Sequence, residues 1–151
     1  MALKPIAYVQ ASWHTEITDH CKAAFMAEVT RHGYRPDDVE FFSAPGSLEI
    51  PLMAKKLAKT GRYAAVCASG FVVDGGIYRH EFVAQAVLQG IVQTSLDTEV
   101  PVLSAVLTPH HFHEHAVHAE FFKEHMRTKG RELAEACVSI VEKLSAVDAL
   151  V

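Results

Sequence analysis

Residues 72–83 read VVDGGIYRHEFV and hold the densest set of chemically useful side chains in the chain. An apolar run ends at Asp74, two glycines follow, and Tyr78, Arg79, His80 and Glu81 crowd onto the start of a helical pattern. Gly75 and Gly76 permit positive φ and a close backbone approach to a ligand. A helix start presents unpaired N–H groups, which suit an anion. The Arg79 guanidinium adds a fixed charge with a fork matched to phosphate, and His80 supplies a ring that exchanges protons near neutral pH. Together these groups would bind a phosphate and move protons beside it. The stretch is not a G-x-G-x-x-G dinucleotide fingerprint, and the chain has no phosphate loop ending in G-K-S/T.

Other positions share this character. Trp13, the single tryptophan, follows the first apolar run beside His14. It either covers a sheet edge or offers a flat wall on which a planar ring stacks. In APGSLEIP, residues 44–51, Pro45–Gly46 makes a turn, Ser47 is placed to cap a helix, and Glu49 falls in its first turn. The same geometry would hold a ligand bearing hydroxyls. Residues 110–125, HHFHEHAVHAEFFKEH, put His111, His115 and His118 on one helical face. A metal could sit there, but H-E-x-x-H fails because Val117 occupies the required position, and no cysteine is near; no metal is assigned. Most of these histidines read as surface or interface groups sensitive to mild acid, with His118 reaching the site.

The elements that must position these groups alternate. Strand patterns cover 5–11, 39–43, 63–73 and 101–107. Helical patterns cover 14–32, 47–59, 78–96 and 110–144, the last interrupted near Thr128–Gly130. Gly33 and Gly61 read as helix stops. Residues 63–73, YAAVCASGFVV, are almost wholly apolar, as a central parallel strand buried on both faces should be. The alternation predicts a three-layer α/β/α sandwich around a four-stranded parallel, flavodoxin-like sheet, with ligands beyond the carboxyl ends of the strands. Trp13, the PGSLE turn and the Gly75–His80 cluster all fall at such exits.

Composition agrees. With 151 residues, 50% apolar and 21% charged, the chain reads as one globular domain over residues 1–151. A formal charge of −4 disfavours a nucleic-acid partner. No apolar run approaches the roughly 18–20 residues of a membrane span, and no signal peptide is evident, so a cytoplasmic location is expected. Cys21, Cys67 and Cys137 are far apart in sequence and read as reduced core fillers.

PGSLEIP, followed by a glycine turn and a histidine-bearing helix start at the third exit, resembles the lumazine synthase family, and is most similar to its divergent second bacterial type. The resemblance spans essentially the whole chain, including an aromatic after the first strand and a T-K-G near the end. It implies condensation of 5-amino-6-(D-ribitylamino)uracil with 3,4-dihydroxy-2-butanone 4-phosphate to 6,7-dimethyl-8-ribityllumazine, phosphate and water, with no metal or organic cofactor. It also implies that Trp13 stacks on the pyrimidine and that Ser47, Leu48 and Glu49 hold the ribityl chain. Phe71, Val72 and Val73 would line the ring pocket, and Ser104 would face it. The family's G-x-T-x-H-[FY]-[DE] pattern, laid on without a gap, matches Gly75 and Glu81. It puts Arg79 at the histidine position, Ile77 at the threonine, and His80 one residue late as the proton carrier; a one-residue deletion would align His80 itself. His118 stands where the family has a phosphate-binding arginine, with Arg127 and Lys129 as alternatives. The resemblance further implies a pentamer-based homo-oligomer, for which a decamer is favoured. Competing readings are a flavin or lumazine storage protein with little turnover, a phosphosugar isomerase, and a scaffold without chemistry.

Overall fold

A computed structural model describes residues 3–73, 80–108 and 116–151, omitting the side chains of 116–118. Among these residues four strands form one all-parallel sheet in the order β2-β1-β3-β4. The strands are β1 (Ile6–Ala11), β2 (Val39–Ala44), β3 (Ala65–Phe71) and β4 (Val102–Leu107). The helices are α1 (Thr15–Arg31), α2 (Ile50–Lys59), α3 (His80–Thr98) and α4 (Ala116–Asp148).

Strand side chains alternate between the faces of the sheet, and the helices divide accordingly. Ile6, Tyr8 and Cys67 point to one side and pack with Ile17, Cys21, Phe25 and Val29 of α1 and with Met126, Leu133, Ala134 and Cys137 of α4. Ala7, Val9, Ala11, Val66 and Ala68 point to the other, against Ile50, Ala54 and Ala58 of α2 and Ala84, Val87 and Ile91 of α3. This is the expected three-layer sandwich. Each large side chain buried this way contributes about 1.5–3 kcal/mol. β3 is buried along its whole length, which explains its unbroken apolar sequence. The three cysteines are free and buried in the first layer. The Tyr8 hydroxyl donates to Cys21 Sγ at 3.4 Å. Gly33 and Gly61, with φ of 99° and 74°, end α1 and α2 as the sequence predicts.

Two expectations are corrected. α4 runs without a break through Thr128–Gly130. Gly130 is there because a Cβ at this position would lie 2.3 Å from the Cys21 carbonyl oxygen and 2.9 Å from Ala24 Cβ. The glycine brings α4 close against α1 and does not interrupt it. Ser47 does not cap α2: Ser47–Glu49 forms a 3-10 turn ahead of the helix, with no side-chain cap. Extended Gly46, with Pro51 in the first turn of α2, delays the regular helix to Ile50.

Candidate functional site

The strand exits converge. β1 ends at Ala11, and the Ser12 amide still donates to the Ala44 carbonyl, so the first two exits lie side by side. The Ser12 hydroxyl reinforces this, donating to Ala44 O at 2.8 Å and lying 2.9 Å from Ser43 Oγ. Trp13 leaves the sheet with 69% of its surface exposed, an unusual state for tryptophan unless something stacks on it. Its indole borders the second exit: a Cβ on Gly46 would lie 3.7 Å from Trp13 Nε1 and 3.0 Å from Glu49 Oε1. Tryptophan ring, open glycine backbone and carboxylate thus meet at one point. A residue without a side chain lets the carboxylate and the indole come this close to the backbone.

The third exit joins them. Ser47 Oγ would be 2.8 Å from a Cβ on Gly70, and Ile50 Cδ1 3.7 Å, so the Ser47 turn rests on the end of β3. Phe71 and Val72 are buried and Val73 partly so, the Val72 amide donating to Leu107 O at 2.8 Å. Leu48 stands exposed beside Glu49. His80 opens α3 with its side chain 14% exposed and its Nδ1 3.3 Å from Glu81 Oε2. The structure therefore gathers Trp13, Ser47, Glu49 and the end of β3.

Ser104 pairs in register with Ala68 and sits exposed on edge strand β4, two strands from β1, whose exit Trp13 follows. Arg79, the Asp74–Tyr78 stretch and His110 to His115 lie outside the described residues, as does the His118 side chain. Among the described residues no group of three or more histidine, cysteine or carboxylate side chains is placed to hold a metal ion.

Two contributors escaped sequence reasoning. Gly70 admits the Ser47 turn, and nothing in an apolar strand distinguishes it. His14 adopts a left-handed conformation, φ 58° and ψ 42°, between Trp13 and α1. The signal for it was a residue tolerant of that region standing alone between a strand and a helix.

The arrangement could take a planar, hydroxylated ligand, with a ring against Trp13 and hydroxyls toward Ser47 and Glu49. A family model described as 6,7-dimethyl-8-ribityllumazine synthase matches residues 4–145. The chain belongs to the lumazine synthase family. It is 54% identical to 6,7-dimethyl-8-ribityllumazine synthase of Rhodococcus erythropolis, over 94% of this chain and 92% of that one. It is 50% identical to 6,7-dimethyl-8-ribityllumazine synthase 2 of Pseudomonas syringae pv. tomato, over 92% and 82%. It is 53% identical to the protein of the same name from Bradyrhizobium diazoefficiens, over 89% and 80%. The numeral 2 in two of these names agrees with the resemblance to the second bacterial type. The family-model match runs through every strand exit described above.

Proposed function

We infer that the protein is a lumazine synthase of riboflavin biosynthesis. It condenses 5-amino-6-(D-ribitylamino)uracil with 3,4-dihydroxy-2-butanone 4-phosphate to 6,7-dimethyl-8-ribityllumazine, with loss of phosphate and water. The observation that carries this reading is the meeting of the exposed Trp13 indole, the bare Gly46 backbone and the Glu49 carboxylate beside the end of β3.

Trp13 takes the pyrimidine face and Phe71, Val72 and Val73 its edge. Ser47, Leu48 and Glu49 receive the ribityl chain, with Glu49 accepting hydrogen bonds from its hydroxyls. The amine and ketone, held together, form an imine with loss of water. A proton then leaves the neighbouring carbon as phosphate departs, and ring closure releases a second water. His80 carries protons through these steps, and Arg79 with the first turn of α3 meets the phosphate charge. Orientation supplies much of the acceleration, because the two reactants already condense without help.

The active unit is a homo-oligomer built from pentamers and residing in the cytoplasm, with a decamer favoured. Leu88, Val92 and Leu96 recur every fourth residue on α3 and stand exposed, Val92 at 60% and Leu96 at 69%, an apolar stripe that a second copy of the chain would cover. In such an assembly Ser104 and His118 serve the site of a neighbouring subunit. None of the described helices is long and apolar enough to cross a membrane.

The deciding experiment follows lumazine formation by absorbance from the two substrates, against the protein-free rate. A clear acceleration that falls in Arg79→Ala or His80→Ala supports the synthase. Tight binding of riboflavin or a lumazine without acceleration overturns it in favour of storage.

A further inference from the structure

We propose that His14 is a positioning residue that fixes the Trp13 ring for the pyrimidine substrate. The inference rests on the synthase reading for its substrate, and on geometry for the rest. His14 is one of two described non-glycine residues with positive φ. Such a conformation is disfavoured for residues with a Cβ, and it persists where the surroundings enforce it. Here they do. The His14 carbonyl accepts the amides of Ile17 and Thr18 at 3.0 and 3.1 Å and the Thr18 hydroxyl at 3.3 Å, anchoring the turn to α1. The imidazole, only 16% exposed, has Nδ1 3.6 Å from Glu16 Oε1. It stands edge-on to Phe71, centroids 5.6 Å apart and planes at 79°. Phe71 in turn meets Phe122 of α4 at 5.2 Å.

The consequence is a division of directions. The left-handed turn sends the side chain of residue 14 inward onto the end of β3, and leaves that of residue 13 outward beside Gly46 and Glu49. The wall for the ring and the strand end along its edge are thereby tied together through a single residue. Without this tie Trp13, so largely exposed, would sample other rotamers and the substrate would have to order it on binding.

Trp13 is the sole tryptophan, so its motion can be read directly. The test compares wild type with His14→Gly, which keeps the turn and removes the whole side chain, and with His14→Asn, which tolerates the turn and replaces the imidazole that meets Phe71 and Glu16 by a short polar group. Both variants are expected to enlarge the fast component of Trp13 fluorescence anisotropy decay in the free protein. Both should raise KM for the ribitylaminouracil about three- to tenfold while KM for the butanone phosphate stays within about twofold. The urea midpoint of His14→Asn should hold near that of wild type. Unchanged Trp13 anisotropy in both variants overturns the proposal, as does an equal rise in both KM values tracking a lowered midpoint. The anisotropy arm needs no turnover: an inactive wild type would sink the synthase reading alone, and static Trp13 in the variants would sink the role of His14 alone.

Discussion

Adding one methyl group at Gly130 should destabilise the protein, although local helix preference says the opposite. Alanine in a helix interior is favoured over glycine by about 1 kcal/mol. Gly130 lies far inside α4, so an isolated helix would gain. In the folded chain the new Cβ would stand 2.3 Å from the carbonyl oxygen of Cys21 and 2.9 Å from Ala24 Cβ. A comfortable carbon contact is about 3.5 Å, so α1 and α4 would have to part by about 1 Å. Neither obstacle can rotate away, since one is backbone and the other a Cβ. Overpacking costs about 1–3 kcal/mol, and this site belongs at the upper end. Subtracting the propensity gain leaves a net loss of about 2 kcal/mol, a fall in Tm of roughly 4–8 °C for a domain of this size. Gly90→Ala is the companion, because its Cβ would meet the Pro51 ring at 2.8 Å and no backbone, so its fall should be smaller. Thermal melts of both variants and wild type, at one protein concentration because assembly adds stability, decide the matter. An unchanged or raised Tm for Gly130→Ala would refute the reasoning.

Other perturbations have equally defined outcomes. Glu49→Gln keeps the shape beside Trp13 but exchanges charge-assisted for neutral hydrogen bonds, a loss of about 1 kcal/mol or more, so KM for the ribitylaminouracil should rise roughly five- to tenfold in steady-state assays. Burial pushes the Cys21 thiol up to about 11 and raises Cys67 and Tyr8 as well. These groups stay neutral in the folded chain while the unfolded chain ionises first. The unfolding free energy from urea curves should therefore be level from about pH 7 to 8.5 and fall between about pH 9 and 11, by roughly 3 kcal/mol from Cys21 alone. A level profile to pH 10.5 would contradict this. Val92→Lys, on the exposed stripe of α3, should leave the far-ultraviolet circular dichroism unchanged and shift sedimentation toward a single chain; unaltered sedimentation would place the interface elsewhere.

The architecture was legible where local signals agreed. The unbroken apolar run around Cys67 could only be a strand covered on both faces, and the spacing of Ile17, Cys21, Phe25 and Val29 gave the buried face of α1 directly. The misreadings came where tertiary contact overrides local preference. Thr128–Lys129–Gly130 looks like a helix break because glycine breaks helices, but its small size serves a second helix about a hundred residues earlier in the chain. Ser47 looks like a cap because serine caps helices, yet its hydroxyl lies against Gly70 on another element. At the site, Trp13 and Glu49 were visible as types and positions, while their meeting over Gly46 needed the folded chain. Ser104 could not be placed from one strand pattern, since edge and centre of a sheet read alike.

The length of α4 sets a final property. Its 33 residues rise about 50 Å, while the six- and seven-residue strands it covers span roughly 20 Å. Phe122, near its start, touches Phe71 at the exit end of the sheet, and Cys137 packs lower in the same layer. The helix thus runs away from the strand exits, and its last turns stand largely exposed beyond the layer that holds it. A peptide or protein joined after Val151 would hang from a stiff stalk at the end of the molecule opposite the strand exits. In a ring of identical chains those stalks would form a set of evenly spaced tethers, so a weakly binding cargo would be displayed in multiple copies and gain avidity without touching the chemistry.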